Sequence, residues 1–172
     1  MTDPLTLAAL DTERHVARSG WDQPVRLFAL VPTDQLLAME PHLAAGLASH
    51  DTVAGALSAV EQEELPESSG LEDLLARIAW PDSVAGCAIA VERIVVPPDA
   101  ERQLPEDDDA ALRVVAEHPA RADVRLVVAV TRDGAARCLL RQRAHDSDDR
   151  VALGDDIAPG LVHALAATFG PD

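Results

Sequence analysis

From Val84 to Val96 small and β-branched apolar residues follow one another with only Glu92 and Arg93 charged, and Pro97-Pro98, which cannot donate to a ladder, close the run. The pattern predicts a long central strand. Alternation puts Cys87, Ile89, Val91 and Val95 on one side and Ala88, Ala90, Glu92, Ile94 and Val96 on the other. The bulkier side should face the main core, while the alanines let a helix approach closely.

The flanking segments alternate between the two periods. Asp3-Pro4 supplies a cap and a first-turn proline, and Leu5, Ala9, Thr12 and Val16 recur at helical spacing until Ser19-Gly20. After the Trp21-Asp22-Gln23-Pro24 turn, Val25 to Val31 predicts a strand closed by Pro32, and Thr33 a short helix through Met39, with Pro41 restarting it as far as Leu47. His50 to Ala56 has loop composition, Leu57 to Glu63 offers a strand, and Glu61 to Ser69 is acidic and turn-like. Ser69 and Glu72 fit a capping box for a helix whose face is Leu71, Leu74, Leu75, Ile78 and Ala79, running into Trp80. Beyond the central strand come a polar connector from Pro97 to Asp109 and a helix from about Asp109 to His118. Strands Val124 to Arg132 and Ala136 to His145 follow, then a last helix opened by Asp155-Asp156 and Pro159 and ending near Gly170. The order α-β-α-(β)-α-β-α-β-β-α predicts a single α+β domain over residues 1–172, with a mixed, largely antiparallel sheet and helices packed on it.

The hairpin admits two registers. A two-residue Asp133-Gly134 turn would mix arginines into its apolar face. A three-residue Arg132-Asp133-Gly134 turn with a G1 bulge at Gly134 pairs Thr131 with Ala135 and sorts the faces. Val124, Leu126, Val128 and Val130 then join Ala136, Cys138 and Leu140 on the core side, and Arg125, Arg137, Arg141 and Arg143 line the other. We expect the bulge, and with it a strip of four arginines able to receive a carboxylate-rich peptide, an anionic ligand or an acidic patch of a second subunit. The alternative is that these arginines block edge pairing and are neutralised by the protein's own acidic loops.

That strip stands out because the formal charge is −16, from 30 acidic residues against 14 basic ones, and every basic residue is arginine. Lysine and tyrosine are both absent. P-loop and Schiff-base chemistries lose their usual residue, and nucleic-acid binding is disfavoured without phosphate neutralisation or many stacking aromatics. Length suits one core without staples, neither a signal peptide nor a membrane-spanning run is evident, and a cytoplasmic protein is expected.

Two stretches carry a resemblance: Gly20-Trp21-Asp22-Gln23-Pro24 through Leu30-Val31-Pro32-Thr33, and Leu74-Leu75-Ala76-Arg77-Ile78-Ala79-Trp80-Pro81-Asp82 through Gly86-Cys87-Ala88. They resemble the signatures of an actinobacterial family of small acidic proteins with no assigned function, over nearly the whole chain including the Asp-rich run after His145. The resemblance implies a cytoplasmic protein and carries over no catalytic residue. The order of elements is also similar to the secretion-chaperone-like fold, whose members are often acidic dimers that bind other proteins.

Candidate chemistry is sparse. His145-Asp146-Ser147-Asp148-Asp149 has ligand types for a cation but no EF-hand spacing, so a solvated acidic turn is expected and no metal site is assigned. Cys87 and Cys138 fall within apolar strands and suit buried structural thiols better than reactive ones. No Gly-x-Ser-x-Gly, glycine-rich phosphate loop or split carboxylate pair is present, and neither a catalytic residue nor a cofactor is expected. Trp21 and Trp80, each at a helix-to-strand corner, suit core plugs, with pocket aromatics as the other reading. The function expected is non-enzymatic protein binding, as an adaptor or chaperone-like domain with an unknown protein partner or as a homodimer, without nucleic acid or membrane. The alternative is an enzyme or small anionic-ligand binder whose pocket joins residues distant in sequence.

Overall fold

The computed structural model describes residues 3–39, 56–62, 65, 71–96, 102–119, 121–154 and 157–169. Six strands, β1 (Arg26–Pro32), β2 (Leu57–Gln62), β3 (Gly86–Val95), β4 (Ala122–Thr131), β5 (Ala136–Gln142) and β6 (Ala152–Gly154), form one sheet in the order β2-β1-β3-β4-β5-β6. Every neighbouring pair is antiparallel, which makes the α+β domain's sheet fully antiparallel among the described residues rather than mixed. β3 is the long central strand, paired along its full length with β4.

The sheet is covered on both faces. Helix α1 (Pro4–Ala17) starts where Asp3 accepts the Thr6 amide at 2.7 Å and Pro4 occupies the first turn. Its stripe of Leu5, Ala8, Ala9 and Val16 packs on Phe28, Leu30, Ala88, Ala90, Val127, Ala129 and Leu139. Ala88 and Ala90 are the small residues that admit it. On the opposite face Leu27, Cys87, Ile89, Val91, Val128, Val130 and Cys138 meet Leu75 of α3 (Leu71–Ala76) and Leu165 of the C-terminal helix. Two further helices, α2 (Thr33–Met39) and α4 (Asp108–Glu117, capped by Asp107 through the Ala110 amide), leave β1 and lead into β4. The C-terminal helix, α5 (Pro159–Ala166), continues as a 3-10 turn through Phe169.

The bulged register is the one adopted. Thr131 and Ala135 face each other through the Thr131 amide and the Ala135 carbonyl at 2.9 Å, and Gly134 takes φ +97°, which a side chain disfavours. Where the strand from Leu57 to Glu63 and the turn-like stretch from Glu61 overlap, the strand holds, with Glu61 and Gln62 in β2. Two expectations are corrected. The second hairpin strand stops at Gln142, and Arg143–His145 turns away as a 3-10 segment. Helix α3 ends at Ala76, before Ile78 and Ala79. Strand β6 is an addition, with three residues too few to show a period. Pro41 to Leu47, Ser69 and Asp155-Asp156 lie outside the described residues.

Candidate functional site

Because β3, β4 and β5 are in register, Glu92 faces Arg125 and Arg125 faces Arg141 across neighbouring strands on the α1 side of the sheet. Two guanidiniums directly opposite each other repel, so the pair requires counter-charges close by. These come from three directions.

From above, Glu13 on the inward stripe of α1 accepts from Arg141 Nε at 2.8 Å and Nη2 at 2.6 Å. From the loop after β5, Asp146 and Asp148 accept from Arg141 at 3.0 and 2.6 Å. The Glu13 hydrogen bonds, with those of the two aspartates, raise the Arg141 pKa further despite burial. From β3, Glu92 lies 3.6 Å from Arg125. Glu92 also accepts the backbone amides of Asp22 and Gln23 at 2.9 and 2.8 Å, fastening the corner between α1 and β1 onto the sheet.

Trp21 sits in that corner. The Arg125 guanidinium lies 4.4 Å from its ring centroid and that of Arg143 5.7 Å, while the indole N–H donates to Asp146 at 3.1 Å. Arg125 also donates to the Gly20 carbonyl, and its Nη1, buried, has no hydrogen-bond partner among the described residues. The corner turns through Gly20 at φ +82° and Asp22 at φ +65°, a left-handed conformation that aspartate tolerates better than most residues.

The arginine strip is therefore real in register but is not an open surface. Arg125 and Arg141 are 1% and 2% exposed beneath α1 and its flanking loop. Arg137, half-buried, donates to Thr6 at 2.9 Å and pairs with Asp3 at the start of α1. Arg143 is the most exposed of the four, its side chain 43% exposed, and it donates to Asp22 at 2.9 and 3.1 Å and lies 3.6 Å from Asp123. Hydrogen bonding to Arg143 holds the Asp22 carboxyl below the usual aspartate range.

Two depressions meet at Arg143 and Asp123. One, of about 260 Å3, is lined by Asp22, Glu92, Arg93 and Ile94 besides the shared pair. The other, of about 420 Å3, continues past them to Pro119, Arg121, Gln142 and Ala144. Together they make a shallow groove across the ends of β3, β4 and β5. Glu13, Asp22, Glu92, Arg93, Arg121 and Asp123 were not singled out from sequence. Glu13 alone carried a signal, an acid four residues after Ala9 on the buried stripe of α1.

The second tryptophan corner is a packed brace. Arg132 donates to the carbonyls of Val84 at 2.7 Å and Pro81 at 2.8 Å and lies 4.7 Å from the Phe169 ring centroid. Trp80 donates to Thr168 at 2.9 Å. Neither tryptophan lines the groove. Cys87 and Cys138 are both buried, and desolvation pushes the Cys87 thiol up to about 12. In the His145 to Asp149 run, Asp146 and Asp148 serve Arg141, Ser147 donates to Asp149 at 2.6 Å, and His145 contacts Arg150 at 3.2 Å. Among the described residues no group of three or more His, Cys, Asp or Glu is placed to hold a metal ion, and no helix is long and apolar enough to cross a membrane.

A family model described as PPA1309-like protein matches residues 5–170. The chain belongs to the PPA1309-like protein family. The match runs from the first turn of α1 to the end of the chain's last 3-10 turn, so both tryptophan corners and the whole arginine row lie within the PPA1309-like region. Searches of curated proteins and of solved structures each found no match.

Proposed function

We propose that this chain is a non-enzymatic protein-binding domain, an adaptor or chaperone-like module of the cytoplasm, and that it docks its partner at the end of β3, β4 and β5. The observation that carries the reading is the exposed Arg143–Asp22 pair in the groove. Ion pairs this exposed are screened by solvent and contribute little, so a partner's carboxylate can replace Asp22 at little cost. The buried charges, in contrast, are committed to joining α1 to the sheet, and the thiol at Cys87 is held protonated. A competing reading, an enzyme or small anionic-ligand binder, draws on the same groove, because residues 22, 92–94, 123 and 143 come together there from distant parts of the chain.

Affinity capture from host lysate with the immobilised chain tests the proposal. A protein retained by the wild type and lost from the Arg121→Ala/Arg143→Ala variant, at unchanged melting temperature, is the expected result. Retention of the same proteins by both would contradict it.

A further inference from the structure

We infer that the occupant of the sheet-end groove is an extended, carboxylate-rich peptide segment of a partner protein, and that Asp22 is a built-in competitor for it. The inference rests on the binding-domain reading and goes further by naming the ligand class and a residue that limits affinity.

The groove holds three guanidiniums, Arg93, Arg121 and Arg143, and three carboxylates, Asp22, Glu92 and Asp123. These charges are unequally engaged. Glu92 is taken by Arg125 and two backbone amides, and Asp22 and Asp123 both serve Arg143. Arg93 and Arg121 have no carboxylate partner among the described residues, and Arg121 donates only to the His118 carbonyl, at 3.4 Å. Two cations without a carboxylate partner among the described residues thus line the groove with a third whose own partner is solvent-exposed, in a chain of net charge −16. Carboxylates complement that set, and guanidiniums bind them in a planar, two-bonded fashion.

Shape selects a peptide over a small anion. The groove crosses the ends of three strands, a width of about 10 Å at the usual strand spacing, which about three extended residues span. Ile94, 45% exposed, lines it between Arg93 and Asp123 and offers a contact for an apolar side chain set among the acids. Asp22 already shows how a carboxylate sits on Arg143, with one oxygen on each terminal nitrogen. It occupies the position that an incoming carboxylate would take.

Asp22→Asn separates competition from simple structural support. Asparagine also tolerates φ +65°, so the corner keeps its path while the competing charge is removed. Calorimetric titration would use an acetylated, amidated peptide of sequence Glu-Asp-Leu-Glu-Asp-Leu, its Gln-Asn-Leu-Gln-Asn-Leu counterpart and inorganic phosphate. We expect the acidic peptide to bind, Asp22→Asn to tighten it about two- to fivefold, and Arg143→Ala to weaken it at least about tenfold. The amide peptide should show no heat. Equal binding of the amide peptide, phosphate binding as tight as the acidic peptide, or unchanged or weaker binding by Asp22→Asn would each overturn the inference. So would self-association of the chain abolished by Arg143→Ala, which would make the occupant a second copy. If capture from lysate depends on Arg143 but no peptide binds, the ligand class is wrong and the binding-domain reading stands.

Discussion

Arg141 of β5 and Glu13 of α1 lie 128 positions apart and form a two-bonded ion pair in which each side chain is at most 3% exposed. This pair links α1 to the sheet. It also explains how a buried face can carry Arg141, since part of its counter-charge arrives on the covering helix and the rest from Asp146 and Asp148.

Removing one member of such a pair leaves a buried charge uncompensated, at a cost of about 3–5 kcal/mol. Arg141→Met should therefore reduce urea-unfolding stability by about that amount. Glu13→Gln should cost less, because Asp146 and Asp148 still face Arg141. The Glu13→Leu/Arg141→Met double variant should recover most of the loss, since well-packed apolar replacements of buried pairs are often neutral. A double variant no better than Arg141→Met would show that the pair does more than satisfy itself.

Asp3, Asp22, Glu61 and Asp148 all have pKa values below their ordinary 3.8 to 4.5. For Glu61 the leading cause is hydrogen bonding to Arg26 at 2.6 and 2.8 Å. A lowered folded-state pKa contributes stability above the unfolded value that is lost as pH falls through the folded value. The melting temperature should hold between pH 7 and about pH 5 and fall below about pH 4. Glu61→Gln should flatten the acid limb, as read by melting curves across pH; an unaltered slope would remove Glu61 from the explanation.

With its pKa near 12 and no exposed surface, Cys87 should be inert to a thiol reagent in the native state at pH 8, as should buried Cys138. Both should react on unfolding in urea. Fast native labelling, followed by absorbance, would place a reactive thiol where burial argues against one.

Much of this architecture was legible locally. The stripe of α1, the two faces of β3 and the bulge at Gly134 each follow from periodicity or from one glycine, and they hold. Sorting Arg125, Arg137 and Arg141 onto one hairpin face holds; of the two readings of that face, neutralisation by the protein's own acidic loops is the one seen at Arg141, through Asp146 and Asp148. A charged face is taken for a solvated one because burial of charge is costly. The compensating Glu13 sits 128 residues before Arg141 and could be matched to the row only once α1 was known to cross that side of the sheet. The groove was illegible for a similar reason. Arg93 and Arg121 each come to line a depression with Arg143 only when three strands end together, and Arg143 leaves the row because the chain turns after Gln142.

The most direct test of the docking account is hydrogen–deuterium exchange of the chain alone and in the complex it captures from host lysate. The account predicts new protection confined to residues 92–95, 119–123 and 142–144, with α3 and α5 unchanged. Protection on α3 and α5 with the sheet end exchanging as before would contradict it.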